Sequence, residues 1–387
     1  MLGRRAALIG LLIYFITVAL FFACDPYGDE AWYYYISKEL KWDWDPHLSF
    51  LPPIRWAYMI IMHPFTINFT VYKVAYSIIN SVPLFFFSGL GGIVASIVYS
   101  LPPMTFFVAH PFTSTLAATF TFLSLYFFEK GRFPLTFVFA LLAVGSWEGS
   151  LFVFLAMSLI YLIKKERLKA LIMLIPPILA LLTSYDNLLF RSSPPGWAKG
   201  PLTLSAILND FLIPISLFPI IKALYDRKWG DLLIMLSMPL GLVTVNIVNK
   251  TMIEVWYLAV NQSIFAYYIM KYKWDRKVLI LMLLVSLLVY LGMVKVGVKA
   301  YQEAKRCCLI KIAEGLKGKK VILYKLFWAY SHFPFQCGKL HKCWICYSKV
   351  CLRRAPRAYH YVVSSEPLNL KLIKSCKSFD RYFVYRR

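Results

Sequence analysis

Charge is scarce in this chain. Asp, Glu, Lys and Arg make up only 16% of its 387 residues, against about 25% in an ordinary soluble domain, while hydrophobic residues reach 59%. That excludes a conventional soluble fold. Acids are scarcer still, 19 against 43 Lys plus Arg, for a net charge of +24. The interiors of the apolar runs are nearly free of charge, and no internal two-fold repetition is evident. Both absences weigh against a transporter or flippase of a lipid-linked or anionic solute, because mid-span charges and repeats mark solute pathways. No small-residue cleavage site follows the first apolar segment, which therefore reads as a retained signal anchor. A short Asp-x-Asp element of the nucleotide-sugar kind is also lacking. Asp43-Trp44-Asp45 has that form, but it falls where nucleotide sugars are scarce and reads better as a surface turn.

What is abundant is membrane-length apolar sequence. Runs of mostly 15 to 22 residues recur at about 7–23, 70–88, 90–108, 112–128, 133–146, 149–163, 170–185, 211–225, 232–248, 254–270 and 278–298, helix-spanning length in a bilayer. The expected fold class is an α-helical polytopic membrane protein of about 11 transmembrane helices. Positive loops stay cytoplasmic, and Arg4-Arg5, 129–132, 164–169, 226–228 and 271–277 fall at alternate ends of the runs. They place the N-terminus inside. The outer loop 24–69, residues 109–111, the turn at Trp147-Glu148, 186–210, 249–253 and everything after 298 lie outside.

Residues 299–387 differ in character from the membrane part, 1–298. They hold 20 Lys/Arg against four acids, with strand-like runs at 320–324, 359–363 and 382–385 and helical patterns at 301–316 and 367–376. This predicts a small extracytoplasmic α/β domain. Seven of the eight cysteines lie here and the eighth is Cys24. An outer position permits disulfides. The competing zinc site, from Cys337, His341, Cys343 and Cys346, has only one CxxC and matches no common paired module. Nucleic acid is a poor partner for a basic domain outside the cell.

The pair Asp29-Glu30 opens an aromatic segment just past the first apolar run. Carboxylates are costly close to a bilayer. Asp29 suits a helix N-cap and Glu30 a first turn. In a helix over 30–40, Trp32, Ile36 and Leu40 share a stripe, and Asp29, Tyr33 and Ser37 lie along another line. Such a helix would rest on the membrane surface. Read blandly, Asp29 is only a cap and Glu30 a solvated residue.

After it come Trp42-Asp43-Trp44-Asp45-Pro46-His47, then Pro52-Pro53 and an apolar stretch containing Arg55. This order resembles the first outer loop of the GT-C superfamily of integral-membrane glycosyltransferases, which includes protein O-mannosyltransferases and aminoarabinose transferases. Lys73 stands where many members have an arginine. Ser146-Trp147-Glu148-Gly149 is similar to the family's turn with a glutamate before Gly, with Trp147 in place of the usual Arg. The resemblance covers roughly residues 1–165 by motif and the rest by layout.

The resemblance implies transfer of a sugar from a polyprenyl (dolichyl) phosphate donor to a lipid, glycan or protein acceptor at the outer face, with inversion. Asp29 would be the general base and Glu30 a second acceptor- or metal-binding carboxylate. Cations must neutralise the departing phosphate, and Arg55, Arg191, Lys199 and Lys250 are the outward candidates, the arginines favoured by bidentate geometry. Tyr33, His110 and Glu148 complete the expected substrate contacts. No cofactor is required, although the paired carboxylates leave room for a divalent metal. A non-catalytic scaffold displaying the basic domain is the third reading.

Overall fold

The computed structural model describes residues 2–22, 30–40, 55–102, 104–183, 215–249, 257–304, 308–324, 342–346, 349–377 and 381–386. The helices are α1 (Leu2–Phe21), α2 (Glu30–Glu39), α3 (Trp56–Met62), α4 (Phe69–Asn80), α5 (Gly89–Tyr99), α6 (Met104–Ala109), α7 (Thr113–Glu129), α8 (Phe133–Ser146), α9 (Leu151–Ile163), α10 (Arg167–Met173) and α11 (Ile175–Thr183). They continue with α12 (Leu217–Tyr225), α13 (Trp229–Asn249), α14 (Leu258–Lys271), α15 (Arg276–Ala304) and α16 (Cys308–Gly315).

Each expected apolar run is largely helical, but several are broken. Among the described residues two stretches, Phe69–Phe86 and Trp229–Val248, are long and apolar enough by themselves to cross a bilayer. Arg5–Phe21, Gly89–Tyr99, Phe133–Ser146 and Glu148–Ile163 are apolar but shorter. The count of eleven crossings is therefore not confirmed.

Proline accounts for the clearest break. The run expected over 90–108 divides into α5 and α6 around Pro102, because proline removes a donor and clashes with the preceding turn. Freed backbone groups in an apolar interior need partners. Gln262 of α14 supplies them: its Nε2 donates to Val98 O and Leu101 O, both at 2.7 Å, and its Oε1 accepts from Met104 N at 3.1 Å. Elsewhere tyrosines and an amide staple the helices. Tyr99 Oη donates to Asn80 O at 2.9 Å, and Thr119 Oγ1 to Asn80 Oδ1 at 2.7 Å.

Three helices end alike. At the ends of α7, α9 and α12 a residue takes a left-handed conformation: Gly131 (φ 67°), Lys165 (φ 62°) and Arg227 (φ 53°). The next N–H closes back five residues: Arg132 N to Phe127 O at 2.9 Å, Glu166 N to Tyr161 O at 2.9 Å and Lys228 N to Ala223 O at 2.8 Å. This is the Schellman cap, whose left-handed position favours glycine.

The C-terminal part contains β1 (Lys320–Tyr324), β2 (Lys342–Cys346), α17 (Lys349–Arg354), β3 (Tyr361–Ser364), β4 (Lys371–Lys377) and β5 (Arg381–Arg386). The sheet order is β2-β1-β3-β5-β4. β1 runs parallel to β2 and β3, while β5 is antiparallel to β3 and β4. Ile322, Tyr324, Val362 and Tyr385 are buried together on it. The helix expected over 367–376 is instead mostly β4, because Lys371–Lys377 finds a ladder partner in β5. Strand β2 and helix α17 were not anticipated; cysteine spacing masked both. Cys343 and Cys351 are disulfide-bonded; the pairing of the remaining tail cysteines lies outside the described side chains.

Replacing Gln262 by Leu keeps the volume but leaves Met104 N without its acceptor and takes one donor each from Val98 O and Leu101 O, which keep Leu101 N at 3.2 Å and Thr105 N at 3.4 Å. Each group left unsatisfied costs about 1–3 kcal/mol. A clear drop in the unfolding temperature of the detergent-solubilised protein is expected; an unchanged value would mean the break is held by something else.

Candidate active site

Glu30 is the first residue of α2 and is fully buried. A carboxylate removed from water must be paired. Lys73 Nζ, from α4, lies 2.9 Å from Glu30 Oε1, and His110 Nδ1, just past α6, lies 3.0 Å from Oε2. Lys73 and His110 are each only 1% exposed. Since a carboxylate only accepts, Nδ1 carries the hydrogen. Lys73 also sits over two rings, Phe22 at 4.8 Å and Phe69 at 5.2 Å. One ammonium thus ties the end of α1, the start of α2 and its own helix.

The protonation states follow. Burial pushes the Glu30 carboxyl up, but Lys73 and then His110 outweigh it and hold it below its ordinary range. Burial and then Lys73 push the His110 imidazole down, against the pull of Glu30. A neutral imidazole beside one cation and one anion gives a trio with no net charge, the condition under which buried charge is tolerated.

The rest of α2 docks by polar tips. Tyr33, Tyr34, Ile36 and Ser37 are buried along it. Tyr34 Oη donates to Thr66 O at 3.2 Å, and His63 Nδ1 meets Ser37 O at 2.8 Å. The line of Tyr33 and Ser37 faces the protein, Ile36 is buried with it, and only Leu40 of the described stripe residues is exposed. Tyr33 packs on Tyr58 and Phe112 at 5.5 and 5.8 Å between ring centroids. Arg55, half-buried ahead of α3, donates from Nη1 to Tyr33 Oη at 2.7 Å.

Helix α3 in turn packs on α2 and on α8. A Cβ on Gly145 would stand 2.5 Å from the Trp56 indole, so glycine permits this close approach. Just beyond, Glu148 is buried in a single 3₁₀ turn, Glu148–Ser150, between α8 and α9. Trp147 stacks on Tyr257 at 5.1 Å, and a Cβ on Gly149 would stand 2.3 Å from the Trp147 indole.

Of the residues expected from sequence, Glu30 and His110 therefore meet directly, and Tyr33 and Arg55 form a second contact on the same helix. Glu148 is buried in the turn after α8, the helix on which α3 also packs. Asp29, Arg191, Lys199 and Lys250 lie outside the described residues. Lys73 was noted only as a substitute for an arginine. A lone cation inside Val71-Tyr72-Lys73-Val74 was the available signal, since such a residue needs a buried partner.

The chain is similar over almost its whole length to the crystal structure of ArnT from Cupriavidus metallidurans. Against the apo state the TM-score is 0.58 at 12% identity, covering 99% of this chain and 97% of that one. Against ArnT bound to undecaprenyl phosphate it is 0.52 at 12% identity, covering 98% and 97%. The fold is ArnT-like. No protein-family model and no curated protein matches the sequence.

Two outcomes follow from the buried trio. Removing one partner of a buried pair costs roughly 3–5 kcal/mol, because the other charge is left uncompensated. Lys73→Met and Glu30→Gln should each lower the unfolding temperature markedly, and the double variant should lose much less than the sum. Additive losses would dissolve the pair. For pH, both Glu30 and His110 have depressed folded values, so the stability they contribute is present at neutral pH and lost as pH falls. The loss begins near the ordinary histidine value of 6.5, where the unfolded chain takes up a proton that the folded chain refuses. Unfolding temperature should fall below that pH, and His110→Gln should flatten the first part of the slope.

Proposed function

We propose that this protein is an integral-membrane glycosyltransferase that moves a sugar from a polyprenyl-phosphate donor to an acceptor hydroxyl at the outer membrane face. The observation that carries the reading is the charge-neutral trio of Lys73, Glu30 and His110, which fixes the residue bonded directly to Asp29. The full-length similarity to ArnT supports it, and the solved ArnT complex with undecaprenyl phosphate supports a lipid phosphate as the donor's carrier.

In this reading Asp29 takes the proton of the acceptor hydroxyl as that oxygen attacks the anomeric carbon. The bond from that carbon to the lipid phosphate breaks on the opposite side, with inversion. Glu30 does not share the proton, because Lys73 and His110 engage both its oxygens. Arg55, steadied by Tyr33, approaches the leaving phosphate together with Arg191, Lys199 and Lys250. The reaction so written requires no cofactor. The finer topology belongs to the same proposal: about eleven crossings, a cytoplasmic N-terminus and a basic C-terminal domain, 299–387, outside the membrane and held by disulfides.

General-base removal typically costs roughly 10²–10⁴ in rate. In vesicles supplied with a panel of polyprenyl-phosphate sugars, Asp29→Asn should cut transfer by about 10²-fold or more while leaving the unfolding temperature in place. Near-normal transfer by the purified variant would remove Asp29 from the mechanism. Failure of the wild-type protein to transfer any sugar of the panel would remove the glycosyltransferase reading itself.

A further inference from the structure

The end of the bundle away from Glu30 gathers four separate chain segments. Lys271, at the end of α14, lies 2.7 Å from Glu129 at the end of α7 and 2.7 Å from Asp231 at the start of α13. Tyr272 Oη donates to the other oxygen of Asp231 at 2.9 Å, and Lys228 sits over the Tyr272 ring at 4.9 Å. Phe128 of α7 meets Tyr161 of α9 at 5.1 Å. Most acids of this face are thus engaged by neighbouring lysines: Glu129 and Asp231 by Lys271, Asp226 by Lys222 at 3.0 Å, and Glu166 by Lys169, while Asp275 accepts from Lys277 N at 2.8 Å. What remains is a surplus of cations. Lys130, Arg132, Lys165, Arg167, Arg227 and Lys273 are exposed and make no ion pair with a described residue.

The surface beside these cations is apolar. Tyr225 is 82% exposed and Trp229 63%, with Ile163 at 68% and Leu168 at 72%. Aromatic residues bordered by bases on one side and aliphatic surface on the other are the signature of headgroup depth. The caps add an independent sign. Of the three Schellman turns here, one uses Gly131 at the left-handed position, where glycine is unstrained, and the other two use Lys165 and Arg227. A side chain there meets the following carbonyl and is disfavoured. Favourable interaction with a helix C-terminus explains a base in the last turn, but it does not require the base at the one position that strains it.

We propose that this face is a binding surface for anionic phospholipid headgroups, and that Lys165 and Arg227 are held in the left-handed conformation to present their charges there. The inference rests on the chain lying in a bilayer and not on its transferring sugar.

The test uses the full chain in neutral detergent and follows its unfolding temperature with added phosphatidylglycerol, phosphatidylcholine or inorganic phosphate. Phosphatidylglycerol should stabilise the wild type at concentrations where the other two do little. In the double variant Lys165→Gly/Arg227→Gly, relief of strain should raise the lipid-free unfolding temperature. Its apparent phosphatidylglycerol affinity should fall by roughly fivefold for each base removed. Native mass spectrometry should show the same loss as fewer retained anionic lipids. An unchanged phosphatidylglycerol response in the variant would overturn the proposal. So would equal stabilisation of the wild type by phosphatidylcholine or by free phosphate.

Discussion

The contact on which the candidate site depends is the one between Glu30 and Lys73. A buried carboxylate and a buried ammonium are each untenable alone, and the Coulomb attraction that rescues them grows as water is excluded. His110 completes the arrangement by offering a neutral N–H to the second oxygen, so that the site gains a bond without gaining a charge. The location of α2 follows from this. With its first residue fixed, the helix lays Tyr33, Tyr34 and Ser37 onto α3, the turn that follows it and Phe112, and Arg55 then has a phenol against which to rest.

Charge is handled in opposite ways at the two ends of the bundle. Around Glu30 it is buried and balanced, which gives rigid placement and low tolerance for substitution. Around Lys271 the acids are paired locally and the excess cations face outward, which gives a field instead of a fixed geometry. A helix such as α7 joins the two regimes, running from the His110 and Phe112 loop to Glu129.

Much of this was legible in the residues. Apolar runs located most of the helices, and the odd placement of Asp29-Glu30 drew attention to Glu30, which is buried and paired. Sequence alone did not disclose which side of α2 would be buried. An amphipathic helix bearing Trp32 and Ile36 on one face suggests a lipid-facing stripe, yet the partner of Glu30 lies 43 positions on, and that pair decides the orientation. Helix breaks were hidden for a related reason. Pro102 interrupts a continuous apolar run, and only the distant Gln262 makes the interruption tolerable. In the tail, the pattern of Lys371–Lys377 suits helix or strand equally, and its pairing with β5 decides.

The reach of the Glu30 contacts also bears on how the chain is made. His110 lies 80 residues after Glu30, and ribosomes add roughly 5–20 residues per second. Glu30 therefore emerges about 4–16 s before its second partner exists. Through that interval its carboxylate has to remain hydrated, so α2 cannot settle when it is synthesised. Helix α2 is made early, yet it takes its place only once α4 and α6 have followed it off the ribosome.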